Sequence, residues 1–369
     1  MIKFADLNFQ IKNIKKDILK SINLTINNSA FIGGENIVKF ENKFKKIHNI
    51  KYCLGVANGT DALEIAIESL NLKKNSEVLV PVNTWISTAE AVIKNNLKVK
   101  FVDIDENSYL ISVKDIKKKI TKNTSAIIPV HLYGQPCEMD EILKISKKYK
   151  LKIIEDCAQS HLAEYKSKKV GTFGDISCFS FFPGKNLGAM GDAGAIITNS
   201  KNLYKKCKMI ANHGGLKKNS HIIVGRNSRL DNLQAGILRI KLNELKKWTK
   251  QRIKNAKKYE VYLRKNIKIS LPLKKTYTKH VYHLFVVKVK KRKKLIEFLK
   301  KNKVQTSIHY PKILSEVPAF KNQNFKNHYL MAKKNSKKIL SLPIGEHLSE
   351  IEIKKVSNLI NKFYNQPSE

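Results

Sequence analysis

Three short segments of the 369-residue chain hold residue types that can do chemistry, each at the predicted end of a strand. The run Asn58-Gly59-Thr60-Asp61 opens a helix, where backbone N–H groups and the helix dipole favour an anion such as phosphate. Asp156 follows a strand, and a carboxylate in that position must be paired or used. Lys185 follows the next strand on a tight turn between two glycines. Together they offer a phosphate cradle, a carboxylate and an amine.

This set of groups matches the needs of pyridoxal phosphate. A lysine bonds covalently to the aldehyde of that cofactor, and a carboxylate keeps the pyridine nitrogen protonated so that the ring accepts electrons. Trp85 follows another strand end and can stack on the ring. Taken alone, Gly59 and Asp156 suit helix caps, Lys185 suits a surface charge and Trp85 suits the core. Their placement together favours the cofactor.

Alternating strand-like and helix-like segments must position these groups, and they predict a mainly parallel sheet. From about residue 35, apolar runs predict strands at 52–57, 77–81, 99–103, 125–130, 152–155, 176–180 and 193–198. Amphipathic stretches predict helices at 35–48, 61–70, 85–95, 113–120 and 138–149. Ligands of such sheets bind beyond the carboxyl ends of the strands, which is where the candidate groups lie.

After residue 226 the pattern changes to one long helix followed by a smaller mixed region. The helical pattern has no proline from Leu230 to about Lys265, which predicts a connector leaving the sheet. The later elements are predicted as a strand at 283–288, a helix entered through the basic run 290–294 and ending near 302, and a helix at 350–364. Such a basic run is more often a solvated helix start than an anion site. We predict an α/β protein with a large domain at 1–235, including an N-terminal segment, and a smaller α+β domain at 236–369.

The net charge of +41 comes from 71 Lys and Arg against 30 Asp and Glu. A nucleic acid or an anionic membrane is one explanation of such a charge. However, only six of the basic residues are Arg, and the 65 Lys are spread over the whole chain. Because nucleic-acid contacts rely on the forked geometry of Arg, we interpret the charge as compositional bias. We expect no nucleic-acid partner and no membrane partner.

The five cysteines stand at 53, 137, 157, 178 and 207, an odd number without a Cys-x-x-Cys pair. This pattern argues against a disulfide framework and a zinc knuckle, so we expect no metal site and a reducing compartment. The N-terminus becomes polar too early for a signal peptide. No apolar stretch reaches the ~20 residues that span a bilayer. We expect a cytoplasmic protein.

Five motifs carry a resemblance to a known family. They are Ala57-Asn-Gly-Thr-Asp-Ala-Leu63, Pro129-Val-His-Leu-Tyr-Gly134, Glu155-Asp-Cys-Ala-Gln159, Phe179-Ser-Phe-Phe-Pro-Gly-Lys-Asn-Leu-Gly188 and Gly225-Arg-Asn-Ser-Arg-Leu-Asp231. The sequence resembles the DegT/DnrJ/EryC1/StrS sugar-nucleotide aminotransferases over nearly its whole length, from Phe31 to Ile344. The resemblance implies the fold-type I, aspartate aminotransferase-like architecture and a homodimer with active sites at the subunit interface. The segment at 189–194 departs from the glycine pattern of many members.

The resemblance also implies a role for each candidate cofactor residue. Lys185 would bind the cofactor covalently and move protons, and Asp156 would pair with the pyridine nitrogen. Trp85 would stack on one ring face, and Gln159 would lie near the other face and the phenolic oxygen. The remaining cofactor contacts would be Gly59, Thr60 and Ser180 at the phosphate, with Asn227 reaching it from the neighbouring subunit.

Three further residues would lie near the substrate, according to the same resemblance. Arg229 would reach it across the subunit interface, and His309 and Tyr310 would contact it from a variable region of the chain. A His-Tyr pair before proline is also common in simple turns, so this assignment depends on the family pattern alone.

The implied reaction is a ping-pong transamination in which glutamate supplies the amine and a nucleotide-linked keto sugar accepts it. The 225–231 run resembles members that act on 3-keto sugars, whereas members acting on 4-keto sugars more often have an aromatic residue after the Asn. We therefore favour a 3-keto sugar on UDP or dTDP, with a 4-keto sugar as the alternative. The product would serve amino-sugar biosynthesis for a surface polysaccharide or lipopolysaccharide. Lys185 argues against the family branch that has His there and dehydrates its substrate, and Lys185, Asp156 and Gln159 together argue against a homologue without catalysis.

Overall fold

The structure is a computed structural model that describes residues 1–217, 219–273, 275–323 and 329–365. The helices are α1 (Leu7–Lys12), α2 (Lys15–Asn27), α3 (Glu35–His48), α4 (Gly59–Ser69), α5 (Ser87–Lys94), α6 (Val113–Lys119), α7 (Met139–Tyr149), α8 (Lys201–Ala211), α9 (Asn232–Leu263), α10 (Arg292–Lys301), α11 (Leu330–Ser336) and α12 (Glu350–Asn365). The strands are β1 (Tyr52–Val56), β2 (Glu77–Pro81), β3 (Lys98–Val102), β4 (Thr124–Ile127), β5 (Lys152–Asp156), β6 (Glu164–Tyr165), β7 (Lys168–Lys169), β8 (Ile176–Ser180), β9 (Gly194–Thr198), β10 (Ile269–Ser270), β11 (Thr278–Lys279), β12 (Phe285–Val289) and β13 (Ile339–Leu342).

Within the described ranges, seven strands form the main sheet in the order β1-β9-β8-β5-β4-β2-β3. Strand β9 runs antiparallel to both of its neighbours, and the other neighbouring pairs are parallel. The prediction of a mainly parallel α/β sheet is therefore confirmed, and the strand positions differ from the predicted ones by a few residues. The strand predicted at 125–130 is shorter, because Pro129 has no N–H to donate, and Val130 pairs with Asp156 only as an isolated bridge.

Apolar residues on both faces of this sheet explain why it is covered by helices. The strands read as nearly continuous buried runs, as in Val78, Leu79 and Val80 of β2, which are all fully buried. Helix α3 covers one region with an aromatic cluster in which Phe44 packs edge-on against Phe179 and Phe181, with ring centroids 5.0 and 5.5 Å apart. These contacts fix β8, the strand that leads to Lys185.

Helix α9 connects the large sheet with the C-terminal region, as predicted from its uninterrupted pattern. It begins at Asn232, so the proposed domain boundary at residue 235 falls in its first turn. No helix or strand was predicted in the N-terminal segment, and the structure shows α1 and α2 there. Ile14 and Ile18 pack against Ile237 and Trp248 of α9, a pattern of apolar residues four apart that could have predicted α2.

The C-terminal region contains a smaller antiparallel sheet in the order β10-β12-β13, packed against α10 and α12. The apolar core of this region includes the fully buried side chains of Tyr259, Phe285 and Leu340. Ile2 joins this core, so the N-terminus contacts the small sheet region. In the described part of the chain, no helix combines the length and hydropathy needed to cross a bilayer.

Candidate active site

The carboxyl edge of the main sheet brings several predicted site residues together. Strand register aligns Val56 with Gly194 and Gly194 with Ser180, so β1, β9 and β8 share one edge. Asp156, the last residue of β5, is in register with Cys178, two residues before the end of β8. Because parallel strands end at the same edge, these residues surround one crevice.

The start of α4 forms a tight cradle beside β8. Asn58 caps the helix by accepting a hydrogen bond from the N–H of Asp61 at 2.8 Å, while the first helical N–H groups have no acceptor within the helix. A Cβ on Gly59 would lie 2.6 Å from the Cβ of Ser180, so only glycine fits here. The hydroxyl of Thr60 lies 2.8 Å from that of Ser87. The helix start therefore presents N–H groups and hydroxyls, which are the donors that bind phosphate.

Asp156 is a buried carboxylate with few partners of its own. One oxygen accepts a hydrogen bond from the Thr88 hydroxyl at 2.9 Å, and the other accepts one from the N–H of Ala158 at 3.1 Å. Burial raises the pKa of Asp156, whereas these hydrogen bonds and the Lys185 ammonium lower it. A cation held against this carboxylate would keep it ionised.

Lys185 stands on a closed turn after β8. Its N–H donates to the carbonyl of Phe182 at 2.8 Å, and a Cβ on Gly188 would lie 2.3 Å from the carbonyl oxygen of Pro183. Lys241 of α9 donates a hydrogen bond from Nζ to the carbonyl of Gly188 and so anchors the turn. Burial lowers the pKa of Lys185 to about 8, although Asp156 opposes that shift. A larger neutral fraction makes this amine a nucleophile and a base.

Gln159, Tyr310 and Trp85 form the next part of the crevice. The Gln159 amide donates from Nε2 to the hydroxyl of Tyr310 at 3.1 Å. The Tyr310 ring lies 5.8 Å from that of Trp85, at an interplanar angle of 43°. Trp85 is 58% exposed, which excludes the core position that the sequence left open. An exposed indole at this edge offers a stacking face for a ring.

The remaining predicted residues fall into two groups. His309 accompanies Tyr310, hydrogen-bonds through Nδ1 to the Ser341 hydroxyl at 2.8 Å, and has its pKa lowered to about 4 by burial and by Lys185. Asn227 is exposed, and Arg229 is directed to the side chain of Asn212. Among the described residues of the single chain, no hydrogen bond joins Asn227 or Arg229 to Lys185.

Sequence reasoning missed Thr88 and Ser87, which contact Asp156 and Thr60. Both follow Trp85 within three positions, so the hydroxyl-rich run after that strand end was a signal that could have found them. It also missed the buried pair His131 and Glu155, whose atoms Nε2 and Oε2 lie 3.0 Å apart.

The buried pair is part of a cluster that also includes Cys157, with potential ligand atoms within 4.8 Å of one another. Glu155 accepts hydrogen bonds from three backbone N–H groups in the 171–174 segment. Burial alone would raise its pKa, but His131 and these donors hold it below the ordinary value. Because the carboxylate already has these partners, the cluster serves to fix the segment between β5 and β8.

Comparisons with known proteins agree with this geometry. The sequence profile of the DegT/DnrJ/EryC1/StrS aminotransferase family matches residues 12–361. The chain belongs to this family. It is an aminotransferase, and the fold is the fold-type I architecture. It is 40% identical over 367 residues to a dTDP-3-amino-3,6-dideoxy-α-D-galactopyranose transaminase from Aneurinibacillus thermoaerophilus, covering 98% of this chain and 99% of that protein.

Two solved structures extend the comparison to the fold. DesV from S. venezuelae, solved in complex with a ketimine intermediate, has a TM-score of 0.97 and 32% identity, covering 100% of this chain and 99% of that one. NtdA from Bacillus subtilis, solved with bound cofactor PMP, has a TM-score of 0.92 and 29% identity, covering 99% of this chain and 85% of that one. The chain therefore has the aminotransferase fold along nearly its whole length.

Proposed function

We propose that this aminotransferase uses pyridoxal phosphate to transfer an amino group to a nucleotide-linked 3-keto sugar. The observation that carries the proposal is one crevice containing Lys185, Asp156 and the cradle at Gly59. The amine, the carboxylate and the phosphate donors are the groups that this cofactor requires. The relatives solved with a ketimine intermediate and with PMP support the choice of cofactor.

The residues of the crevice fit the cofactor chemically. The cradle at Gly59 excludes a Cβ but leaves N–H groups and the Thr60 hydroxyl for a phosphate. The buried Asp156 carboxylate gains from a protonated pyridine nitrogen, because burial alone favours its neutral form. Trp85 would stack on the ring and Gln159 would face the phenolic oxygen, as the family resemblance implies.

Lys185 performs the proton transfers in this proposal. When bound, the cofactor would supply an electron sink for the electron pair that remains when a proton leaves the substrate carbon. The neutral Nζ of Lys185 would take the proton from the α-carbon of the amino acid and deliver it to the C4′ carbon of the cofactor. In the second half-reaction it would move a proton from C4′ to the former keto carbon of the sugar. With a pKa near 8, part of this amine is neutral at physiological pH. An ordinary exposed lysine is almost fully charged at the same pH. Asp156 would hold the pyridine nitrogen in its protonated form.

The choice of a 3-keto sugar rests on the segment at 225–231 and on the relative named for a 3-amino sugar. We assign the nucleotide to dTDP or UDP and the amino donor to glutamate, as the family resemblance implies. A 4-keto sugar is the alternative, with the same chemistry at the neighbouring carbon. The product would enter amino-sugar biosynthesis for a surface polysaccharide or lipopolysaccharide, in the cytoplasm.

A homodimer with shared active sites completes the proposal. Asn227 is exposed and available to a second subunit, and the half-buried Arg229 lies two residues further along the same segment. Asn227 would reach the cofactor phosphate of the partner, and Arg229 would pair with an anionic group of its substrate. His309 and Tyr310 would line the substrate side of the crevice in the same subunit as Lys185.

The test is a panel of 3-keto and 4-keto nucleotide sugars, each incubated with the enzyme, pyridoxal phosphate and glutamate. We expect conversion of 3-keto sugars, with amination at C3 identified by NMR. The Lys185→Arg variant is the control and should give no product. Conversion of only 4-keto sugars would overturn the regiochemistry, and conversion of none would overturn the substrate class.

A further inference from the structure

Tyr133 has an unusual backbone for a buried aromatic residue. Its φ of 60° and ψ of 2° are left-handed, and its side chain is only 3% exposed. Bulky residues rarely adopt this conformation, which persists where surrounding contacts determine it. The contacts of Tyr133 therefore show what this conformation achieves.

Two hydrogen bonds link Tyr133 to different parts of the crevice. Its N–H donates to Oε1 of Gln159 at 2.8 Å. Its hydroxyl donates to the carbonyl oxygen of His309, which lies 176 residues further along the chain. One residue thus connects the amide beside the proposed ring site with the 309–310 segment on the substrate side.

The first of these bonds fixes the orientation of the Gln159 amide. Because an N–H can only donate, the carbonyl oxygen of that amide must face Tyr133, and Nε2 must face the crevice. Nε2 donates one hydrogen to the Tyr310 hydroxyl, so the proton of that hydroxyl remains available to a ligand. Burial raises the pKa of Tyr310, which keeps the hydroxyl protonated.

The second bond fixes the segment that carries Tyr310. The carbonyl of His309 is held by Tyr133, and the ring of His309 is held by the Ser341 hydroxyl. The position of the Tyr310 hydroxyl therefore depends on Tyr133 through two routes, the Gln159 amide and the His309 backbone.

We propose that Tyr133 is a positioning residue that sets the Tyr310 hydroxyl against the keto sugar, so that it controls sugar recognition rather than the proton transfers at Lys185. The inference rests on the proposed function, which supplies the sugar. The inference adds Tyr133, a residue of the large sheet region, to the substrate site as a support for Tyr310. It also assigns the Tyr310 hydroxyl the role of hydrogen-bond donor.

Tyr133→Phe removes the hydroxyl, with its bond to His309 and its contact with the Asn83 side chain, but keeps the ring and the backbone bond to Gln159. Tyr109→Phe is a closely matched control, because Tyr109 has a φ of 64°, is 2% exposed, and has a buried hydroxyl without a hydrogen-bond partner. Their rings lie 5.7 Å apart, so both variants lose a hydroxyl from the same region.

Both variants are compared with the wild-type holoenzyme in the two half-reactions. For Tyr133→Phe we expect the KM for the keto sugar to rise about tenfold, as the loss of one hydrogen bond implies, while the glutamate half-reaction changes less than about twofold. Tyr109→Phe should change neither. Equal behaviour of the two variants, or a parallel loss in both half-reactions of Tyr133→Phe, would overturn the proposal.

Hydrogen exchange supplies a readout that does not depend on turnover. In both the cofactor-free and the loaded protein, we expect the peptide around 305–313 to exchange faster in Tyr133→Phe than in Tyr109→Phe. Unchanged exchange there would contradict the positioning role. If the wild type converts no keto sugar, the proposed function fails, and the exchange comparison still decides whether Tyr133 holds this segment.

Discussion

Burial moves Lys185 and Asp156 toward their neutral forms, and their interaction opposes both shifts. Burial lowers the pKa of Lys185 to about 8 and raises the pKa of Asp156. Each charge therefore has a desolvation cost that a cofactor with a protonated nitrogen and an aldehyde would relieve. Burial also lowers the pKa of Lys241 to about 8, but its Nζ donates to the carbonyl of Gly188. Lys185 differs from it by facing the Asp156 carboxylate at the edge of the sheet.

We predict that Lys185 reacts with a small acylating reagent with a pH midpoint near 8 in cofactor-free protein. The neutral amine is the reactive form, so the rate rises as pH increases through the pKa and then levels off. Asp156→Asn removes an interaction that raises this pKa, so the midpoint should move to lower pH. Mass spectrometry of the Lys185 peptide measures the rate, with the exposed Lys265 as the internal comparison. A midpoint above 10, where ordinary lysines titrate, would contradict the assignment.

Turns at the carboxyl edge of the sheet bring Lys185, Asp156 and the cradle at Gly59 together in one site. The β1–α4 and β8 turns could be predicted from the sequence, because Gly59 and the glycines around Lys185 mark them locally. The bond from Thr88 to Asp156 could not, because it joins residues 68 positions apart and depends on how α5 packs. Tyr133 was missed for the same reason, since its partner His309 comes from the C-terminal region.

Gly59→Ala tests the cradle at the element scale. The added Cβ would lie 2.6 Å from that of Ser180, and such overpacking costs about 1–3 kcal/mol. If the helix start binds the phosphate, the cofactor Kd should rise about 10- to 100-fold, measured by quenching of tryptophan fluorescence. Gly184→Ala is the matched control, because a Cβ there would meet its nearest atom, on Phe182, at 3.6 Å. Equal affinities for the two variants would show that the phosphate binds elsewhere.

At the scale of the whole molecule, the charge of +41 needs no nucleic acid to explain it. The chain has the aminotransferase fold, and its 65 lysines are spread over the whole sequence rather than gathered in one segment. The sequence could place the large sheet, the long helix α9 and the C-terminal elements, since their hydrophobic patterns are local. In the proposed homodimer, Asn227 and Arg229 would meet the Lys185 of the other subunit, an arrangement that no local sequence pattern describes.

Mixed dimers test the proposed sharing of active sites between subunits. Lys185→Ala and Arg229→Ala homodimers should each be inactive or nearly so. When equal amounts are unfolded and refolded together, half of the dimers become hybrids, and each hybrid regains one intact site. We expect about a quarter of the wild-type activity. Activity no greater than that of the separate variants would show that Arg229 acts within its own subunit.

The central claim is that one lysine among 65 binds the cofactor. Borohydride reduction of the protein loaded with pyridoxal phosphate, followed by peptide mapping, tests it most directly. We expect the visible absorbance band to disappear and the label to be found on the peptide containing Lys185, with no such label in Lys185→Ala. A label spread over other lysines, or the same labelling in the variant, would show that Lys185 does not bind the cofactor.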